Sequence, residues 1–154
     1  MERPAPDALV EIPLFRRVLP EDRVRIAAVS HLADYQRGDA IFDEGDPSDD
    51  FFIIVTGRVK VYRRSAAGHD RILEIFGSGG LLGAVAAYES RPFPASAQAI
   101  EPTRCLLIPR AAFFALLEER PSLVRGLLGS LSIRLMELTA RLTELTGGRV
   151  ESRI

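Results

Sequence analysis

Between residues 77 and 99 the chain reads GSGGLLGAVAAYESRPFPASAQA. Glycines and small residues lead into a short apolar turn, and Pro94-Ala95-Ser96 returns the segment into a strand-like run. Such residues let main-chain N–H groups approach an anion closely, because glycine carries no Cβ to hold the ligand away. The chemistry this stretch suggests is phosphate or anion binding by loop amides, and the question is whether the charges that would complete it are present.

Other chemistries fare less well. The glycines do not spell a dinucleotide fingerprint: Leu82 stands where the third glycine belongs, and no long helix follows. There is no Gly-Lys-Ser/Thr phosphate loop. The acidic run Asp43-Glu-Gly-Asp-Pro-Ser-Asp-Asp50 lacks the ligand order of a calcium loop, and its composition predicts a solvated turn with side-chain-to-backbone bonds. Ser65, Ser78 and Ser96 have no His/Asp set that would make any of them a nucleophile, and no enzymatic activity is expected. The single cysteine, Cys105, allows no internal disulfide and no thiolate iron–sulfur cluster.

The bulk composition bounds the partners. With 154 residues, 47% hydrophobic and 27% charged, the chain is expected to fold as one domain with a real core. A net charge of -1 gives no global pull toward nucleic acid or acidic membranes. No apolar run approaches the length of a membrane span, and no apolar stretch follows the first six residues as in a signal peptide. The expectation is a cytoplasmic protein without a membrane partner.

The elements that must position the glycine-rich stretch fall into blocks. Residues 1–32 read as helical, with Leu9, Ile12 and Phe15 at helical spacing around Pro13. A second helix opens at Pro20 and carries Val24, Ile26, Ala27 and Val29 up to a closing His31. Residues 33–109 read as eight short strands, at 34–37, 40–42, 51–56, 58–63, 71–76, 80–82, 95–100 and 104–108, broken by glycine turns. Val59 and Val61 alternate with Lys60 and Tyr62, so one face is packed and the other wet. Residues 110–147 read as a short helix and then a long one from Pro121. Gly147-Gly148 is expected to end that helix, and 148–154 to begin a linker cut short before a further domain.

The long helix carries Leu128, Leu131, Leu135, Leu138, Leu142 and Leu145, spaced 3, 4, 3, 4, 3. This is a heptad seam. A second apolar edge, Leu123, Leu127, Ile133 and Met136, is expected to serve the domain itself, leaving the leucines for a partner helix in a homodimer.

Two helices, eight strands with these turns, a short helix and a long leucine-rich one resemble the sensor half of the Crp/Fnr transcription-regulator superfamily. The resemblance covers about residues 9–154. It rests on Ile12-Pro-Leu-Phe15, on Gly38-Asp-Ala-Ile-Phe-Asp-Glu-Gly-Asp46, on Phe51-Phe-Ile-Ile-Val-Thr-Gly-Arg-Val-Lys-Val-Tyr62 and on Gly83 through Ala99, in that order. It implies a mainly β fold with flanking helices: a double-stranded β-helix jelly roll followed by a long dimerisation helix. It also implies a winged helix-turn-helix domain beyond residue 154, so that DNA is contacted only through residues absent from this chain.

In the cyclic-nucleotide-binding members a Gly-Glu pair holds the ribose, and an arginine a few residues on pairs with the cyclic phosphate. A buried phosphodiester needs that cation, because desolvating the anion alone costs many kcal/mol, and the guanidinium supplies a two-pronged donor. Here Gly83 matches the glycine, but Ala84 follows it. The arginine position falls on Phe93, followed by Pro94, Ala95 and Ser96. Arg91 lies two positions away behind the stiff Pro92. The long-helix residues that reach the base correspond to Leu138 and Thr139. The pattern around Phe93 resembles the Fnr/Dnr side of the superfamily.

The candidate effector site is therefore Leu81, Leu82, Gly83, Ala84, Val85, Ala86, Tyr88, Phe93, Pro94, Ala95 and Ser96, with Leu138 and Thr139. It is expected to be apolar, to refuse cyclic AMP and to suit an uncharged or planar hydrophobic ligand. Two alternatives stand beside it: a true cyclic-AMP or cyclic-GMP module, with an output other than transcription, and a haem-based gas sensor. Haem would need an axial ligand, for which His31, His69 and Cys105 are the candidates; the bland reading makes them a helix-end residue, a turn residue and a small core residue. The jelly roll also hosts metal-dependent cupins, but two histidines 38 positions apart do not make their ligand set. No metal or resident cofactor is expected.

Overall fold

The computed structural model describes residues 2–146. The expected helix stop at Gly147-Gly148 and the linker at 148–154 lie outside them.

The chain opens with two 3₁₀ helices, Pro6–Glu11 and Pro13–Phe15. Leu9, Ile12 and Phe15 recur every three residues, the period of a 3₁₀ helix, and all three are buried. The sequence predicts a helical segment interrupted at Pro13, and the two 3₁₀ helices meet at Ile12-Pro13. Helix α1, Pro20–Val29, buries Ile26 and Ala27. It does not run on to His31. The Ser30 hydroxyl donates to the Ile26 carbonyl at 2.6 Å and the backbone turns extended, ending the helix.

His31 instead begins strand β1, His31–Tyr35, which pairs antiparallel with β8, Thr103–Pro109, from His31↔Leu107 to Tyr35↔Thr103. The strand starts three residues earlier than its composition suggested. A turn in which Gln36 N–H donates to Asp39 Oδ2 at 2.8 Å sets its end. The remaining strands are β2 Ala40–Phe42, β3 Asp50–Thr56, β4 Val59–Arg64, β5 Asp70–Phe76, β6 Leu81–Leu82 and β7 Ser96–Ala99. They form two four-stranded antiparallel sheets, ordered β1-β8-β3-β6 and β2-β7-β4-β5. This is the expected jelly roll.

The side-chain period of two divides the core in two. On β3 and β8, Phe52, Ile54, Cys105 and Leu107 face the barrel interior, where they meet Phe42, Val59, Leu82, Phe93 and Ala97. The alternate residues, Ile53, Leu106 and Ile108, face outward and pack under the helices with Leu9, Phe15, Ile26 and Leu123. Each large side chain so buried contributes about 1.5–3 kcal/mol relative to exposure.

Helix α2, Ala84–Glu89, follows β6. Helix α3, Arg110–Glu119, meets helix α4, Pro121–Leu145, at Arg120. That junction is tied to α1 through Asp22, which is fully buried. Arg120 Nε donates to one Asp22 oxygen, and the Ser122 hydroxyl to the other at 2.6 Å. Burial alone would raise the Asp22 pKa, but the hydrogen bonds from Ser122 and Arg120 and the Arg120 charge outweigh it and hold the carboxyl below its ordinary range.

The first part of α4 is the part buried against the domain. Leu123, Leu127 and Ser130 are buried there, whereas Met136 is 71% exposed. Met136 therefore does not belong to the domain-facing edge. Six residues beyond Ser130, it is turned about 120° away from it around the helix.

Candidate functional site

The site is built where β6, α2 and the return into β7 close one end of the barrel. Gly83 enters α2 with φ +61, a left-handed conformation that costs an L side chain, and Ser90 leaves it at φ 59. Between these two reversals Ala86 and Ala87 face inward and are buried. Small side chains there let the Phe93 ring lie directly on the Gly83 backbone: a Cβ at Gly83 would come within 2.7 Å of Phe93 Cδ1.

Phe93 is buried and stacks on Phe42 with centroids 3.7 Å apart and planes 8° from parallel. Phe52 completes the cluster, its centroid 6.2 Å from Phe93 and 5.4 Å from Phe42. Aromatic pairing adds about 0.5–1.5 kcal/mol per contact beyond area burial. The position that the resemblance assigns to a phosphate-pairing guanidinium thus holds an aromatic stack.

The backbone around Phe93 is equally committed. Gly45 N–H donates to the Phe93 carbonyl at 2.8 Å, and Phe93 N–H to the Asp46 carbonyl at 3.0 Å. Glu44 N–H donates to the Ser96 hydroxyl at 2.9 Å, and Arg63 Nε to the Pro94 carbonyl at 2.9 Å. The buried Ser48 hydroxyl bonds the Ala86 carbonyl at 3.0 Å and also the Arg91 carbonyl. The acidic 43–50 run is therefore the strap that pins this segment. Ser48 and Arg63 were not singled out from the sequence: a serine among acids and an arginine on a strand carry no signal of these contacts. Phe42 lay within a quoted motif, but its partner could not be read there.

The interior is uncharged. Burial pushes the Cys105 thiol up to about 12. Burial, with smaller contributions from Cys105 and Asp50, pushes the Tyr35 phenol up to about 12.

The expected site residues do not all converge. Leu82, Ala86, Phe93 and Ala95 are buried, Gly83 lies beneath Phe93, and Ser96 is half-buried beside it. Leu81 and Ala84 instead line a space on the helical side of the sheet. Val85 and Tyr88 point away, 71% and 70% exposed, on the outer face of the short α2, where Tyr88 meets Phe114 edge-on at 6.0 Å. Pro94 is exposed. Leu138, on the second half of α4, lines a groove with Phe76, Gly79 and Leu81, whereas Thr139 is exposed and its hydroxyl donates to the Leu135 carbonyl at 2.9 Å.

The three haem-ligand candidates do not gather. His31 starts β1, His69 sits at the β4–β5 turn, and Cys105 faces the barrel interior. Among the described residues, no group of three His, Cys, Asp or Glu side chains is placed to hold a metal ion, and no helix is long and apolar enough to cross a membrane.

A profile of the cyclic nucleotide-binding domain matches residues 32–120. The chain belongs to that family. Within the family, this cyclic nucleotide-binding-type domain is a Crp/Fnr-type sensor domain. It is 28% identical, over 96% of its length, to a CRP-like cAMP-activated global transcriptional regulator from Mycobacterium tuberculosis, of which it spans 66%. The relatives that match it along nearly its whole length are transcription regulators and receptor proteins, not enzymes. Its fold superposes on DNR from Pseudomonas aeruginosa with a TM-score of 0.78 and 26% identity, covering 90% of this chain and 62% of that one. It also superposes on the N-terminal domain of a transcriptional regulator from Streptomyces coelicolor, with a TM-score of 0.68 and 28% identity, covering 86% of this chain and 94% of that domain.

Proposed function

We propose that the chain is the effector-sensing and dimerising half of a Crp/Fnr-type transcription regulator of the cytoplasm, and that its effector is not cyclic AMP. One observation carries the second part. Phe93 occupies the place where cyclic-nucleotide binders are expected to carry an arginine, and it is stacked on Phe42 against Gly83. An anion there would face rings and buried methyl groups, while the exposed Arg63 guanidinium beside the segment is engaged by the Pro94 carbonyl.

The output runs through α4. A pair of these helices packs along the 128–145 seam, and an effector acts by favouring one packing of the pair over another, which repositions DNA-reading domains carried beyond residue 154. Leu138 belongs both to the leucine seam and to the groove beside Leu81, so it links helix pairing to the barrel.

Titration calorimetry tests the effector claim. Cyclic AMP at about 100 μM is expected to give no binding heat, whereas an affinity in the low-micromolar range, about -8 kcal/mol, would overturn it.

A further inference from the structure

Outside the barrel, a cavity of about 170 Å³ lies between the outer face of β3, the second 3₁₀ helix and helices α3 and α4. Its wall includes Leu14, Phe51, Leu81, Phe113, Leu127 and Leu131, and every exposed lining atom is apolar. Two of the sequence-predicted effector residues, Leu81 and Ala84, belong to this cavity and not to the barrel.

We propose that this cavity is the effector site, and that it takes a compact, uncharged, apolar molecule the size of a single aromatic ring or a short branched alkane. The proposal deepens the sensor reading and rests on it. Three features select the occupant. The space of about 170 Å³, open to solvent on the Leu131 side, matches a molecule of this size: an engineered apolar cavity of about 150 Å³ in another protein holds benzene or xenon. The carbon-only wall leaves any charged or strongly polar group without a partner. The wall also includes Leu127, buried against the domain, and Leu131, 48% exposed and part of the leucine seam. A molecule pressing on Leu131 from within touches the same side chain that a second helix would touch from without. Binding and helix pairing therefore share a residue, which is the differential contact that a population shift requires.

The test uses toluene as the probe, with saturable binding followed by ligand-observed NMR and dimerisation by analytical ultracentrifugation. One toluene per chain is expected. Ala84→Leu, which extends a side chain into the space, is expected to weaken binding at least about tenfold. Leu131→Phe, at a half-exposed helical position, serves as a second plug should Ala84→Leu fail to fold. Val61→Ala, inside the barrel and away from the cavity wall, is expected to leave toluene binding within about twofold, and saturating toluene is expected to move the dimer dissociation constant by about threefold or more. Absence of saturable binding would overturn the proposal, as would binding that ignores both plugs or that is lost in Val61→Ala. Binding seen only in a monomeric Leu135→Glu chain would show that the cavity is a seat for the partner helix, and would also overturn it. Failure of the unsubstituted chain to dimerise would fall on the functional reading instead, since toluene binding to the monomer is measured independently.

Discussion

The Phe93 ring occupies the space into which a side chain at Gly83 would grow, with a hypothetical Gly83 Cβ only 2.7 Å from Phe93 Cδ1. The two residues are therefore expected to be energetically coupled. Phe93→Ala should cost about 3–5 kcal/mol, the usual range for emptying an aromatic site. Gly83→Ala should cost about 1–2 kcal/mol for its left-handed backbone and about 1–3 kcal/mol more for displacing the ring. In the Phe93→Ala background the second part should vanish. A double-mutant cycle by urea denaturation measures this, and simple additivity of the two costs would contradict the packing described.

Such coupling marks the limit of what the sequence could disclose. All eight strands were legible, because β-branched and aromatic runs alternated between glycine turns, and turn chemistry is local. The interior place of Cys105 and the inward pair Val59 and Val61 followed from the same alternation. Departures came where a tertiary contact set the boundary. The pairing of β1 with β8 drew His31 out of α1. The spacing of Leu9, Ile12 and Phe15 fitted both helical periods, and burial under β3 and β8 chose the tighter one. Around the site the aromatic type of Phe93 was visible, but its stacking on Phe42 was not. The rotation of α2, which carries Val85 and Tyr88 outward, was not visible either, because six residues of Ala, Val, Tyr and Glu have no strong apolar stripe to orient them.

The start of α4 is held by close backbone approach, and two glycines three residues apart separate that effect from helix propensity. A Cβ at Gly126 would come within 2.8 Å of Val18 Cα and 3.0 Å of the Arg17 carbonyl, whereas one at Gly129 would meet nothing nearer than 3.7 Å. Propensity alone favours alanine at either place by about 1 kcal/mol. Gly129→Ala is expected to raise thermal stability by up to that amount. Gly126→Ala is expected to lower it by about 1–3 kcal/mol, the cost of overpacking. Calorimetric melting of the two variants side by side checks the opposite signs.

Asp22 gives the domain an acid-sensitive bond between α1 and the α3–α4 junction. Its folded-state pKa is held below the ordinary 3.8 by Ser122 and Arg120, against the opposing pull of burial. The contribution is therefore complete above the unfolded value and is lost as pH falls below about 4 toward the folded one. Asp22→Asn is expected to cost about 2–4 kcal/mol at pH 7, since it strips the charge from a buried pair whose arginine side is partly exposed. Asp50 has the reverse sign. Burial, chiefly, raises its pKa, and the nearby His31 only partly offsets this. Asp50→Asn should therefore stabilise the fold at neutral pH and lose that advantage in acid. Melting temperatures of both variants from pH 7 to pH 3 test the pair, and parallel curves would contradict both assignments.

The second half of α4 has no reason to stay helical and exposed in a lone chain. Leu128, Leu135, Leu142 and Leu145 are 58%, 66%, 63% and 83% exposed, and Leu131 and Leu138 nearly half so. Two-fold pairing would bring both helices' leucines together at once. At about 1.5–3 kcal/mol for each fully buried leucine, that gain competes well with an association cost of about 4–15 kcal/mol. Leu135 sits mid-seam, where symmetry sets it near its own counterpart. Leu135→Glu would place two carboxylates in that strip, and each would lose several kcal/mol of hydration on burial. The unsubstituted chain is expected to sediment as a dimer at micromolar concentration, and Leu135→Glu as a monomer with an unchanged far-ultraviolet spectrum in the strand region. A monomeric unsubstituted chain would remove the seam, and with it the route by which any ligand in this domain could move a DNA-reading head.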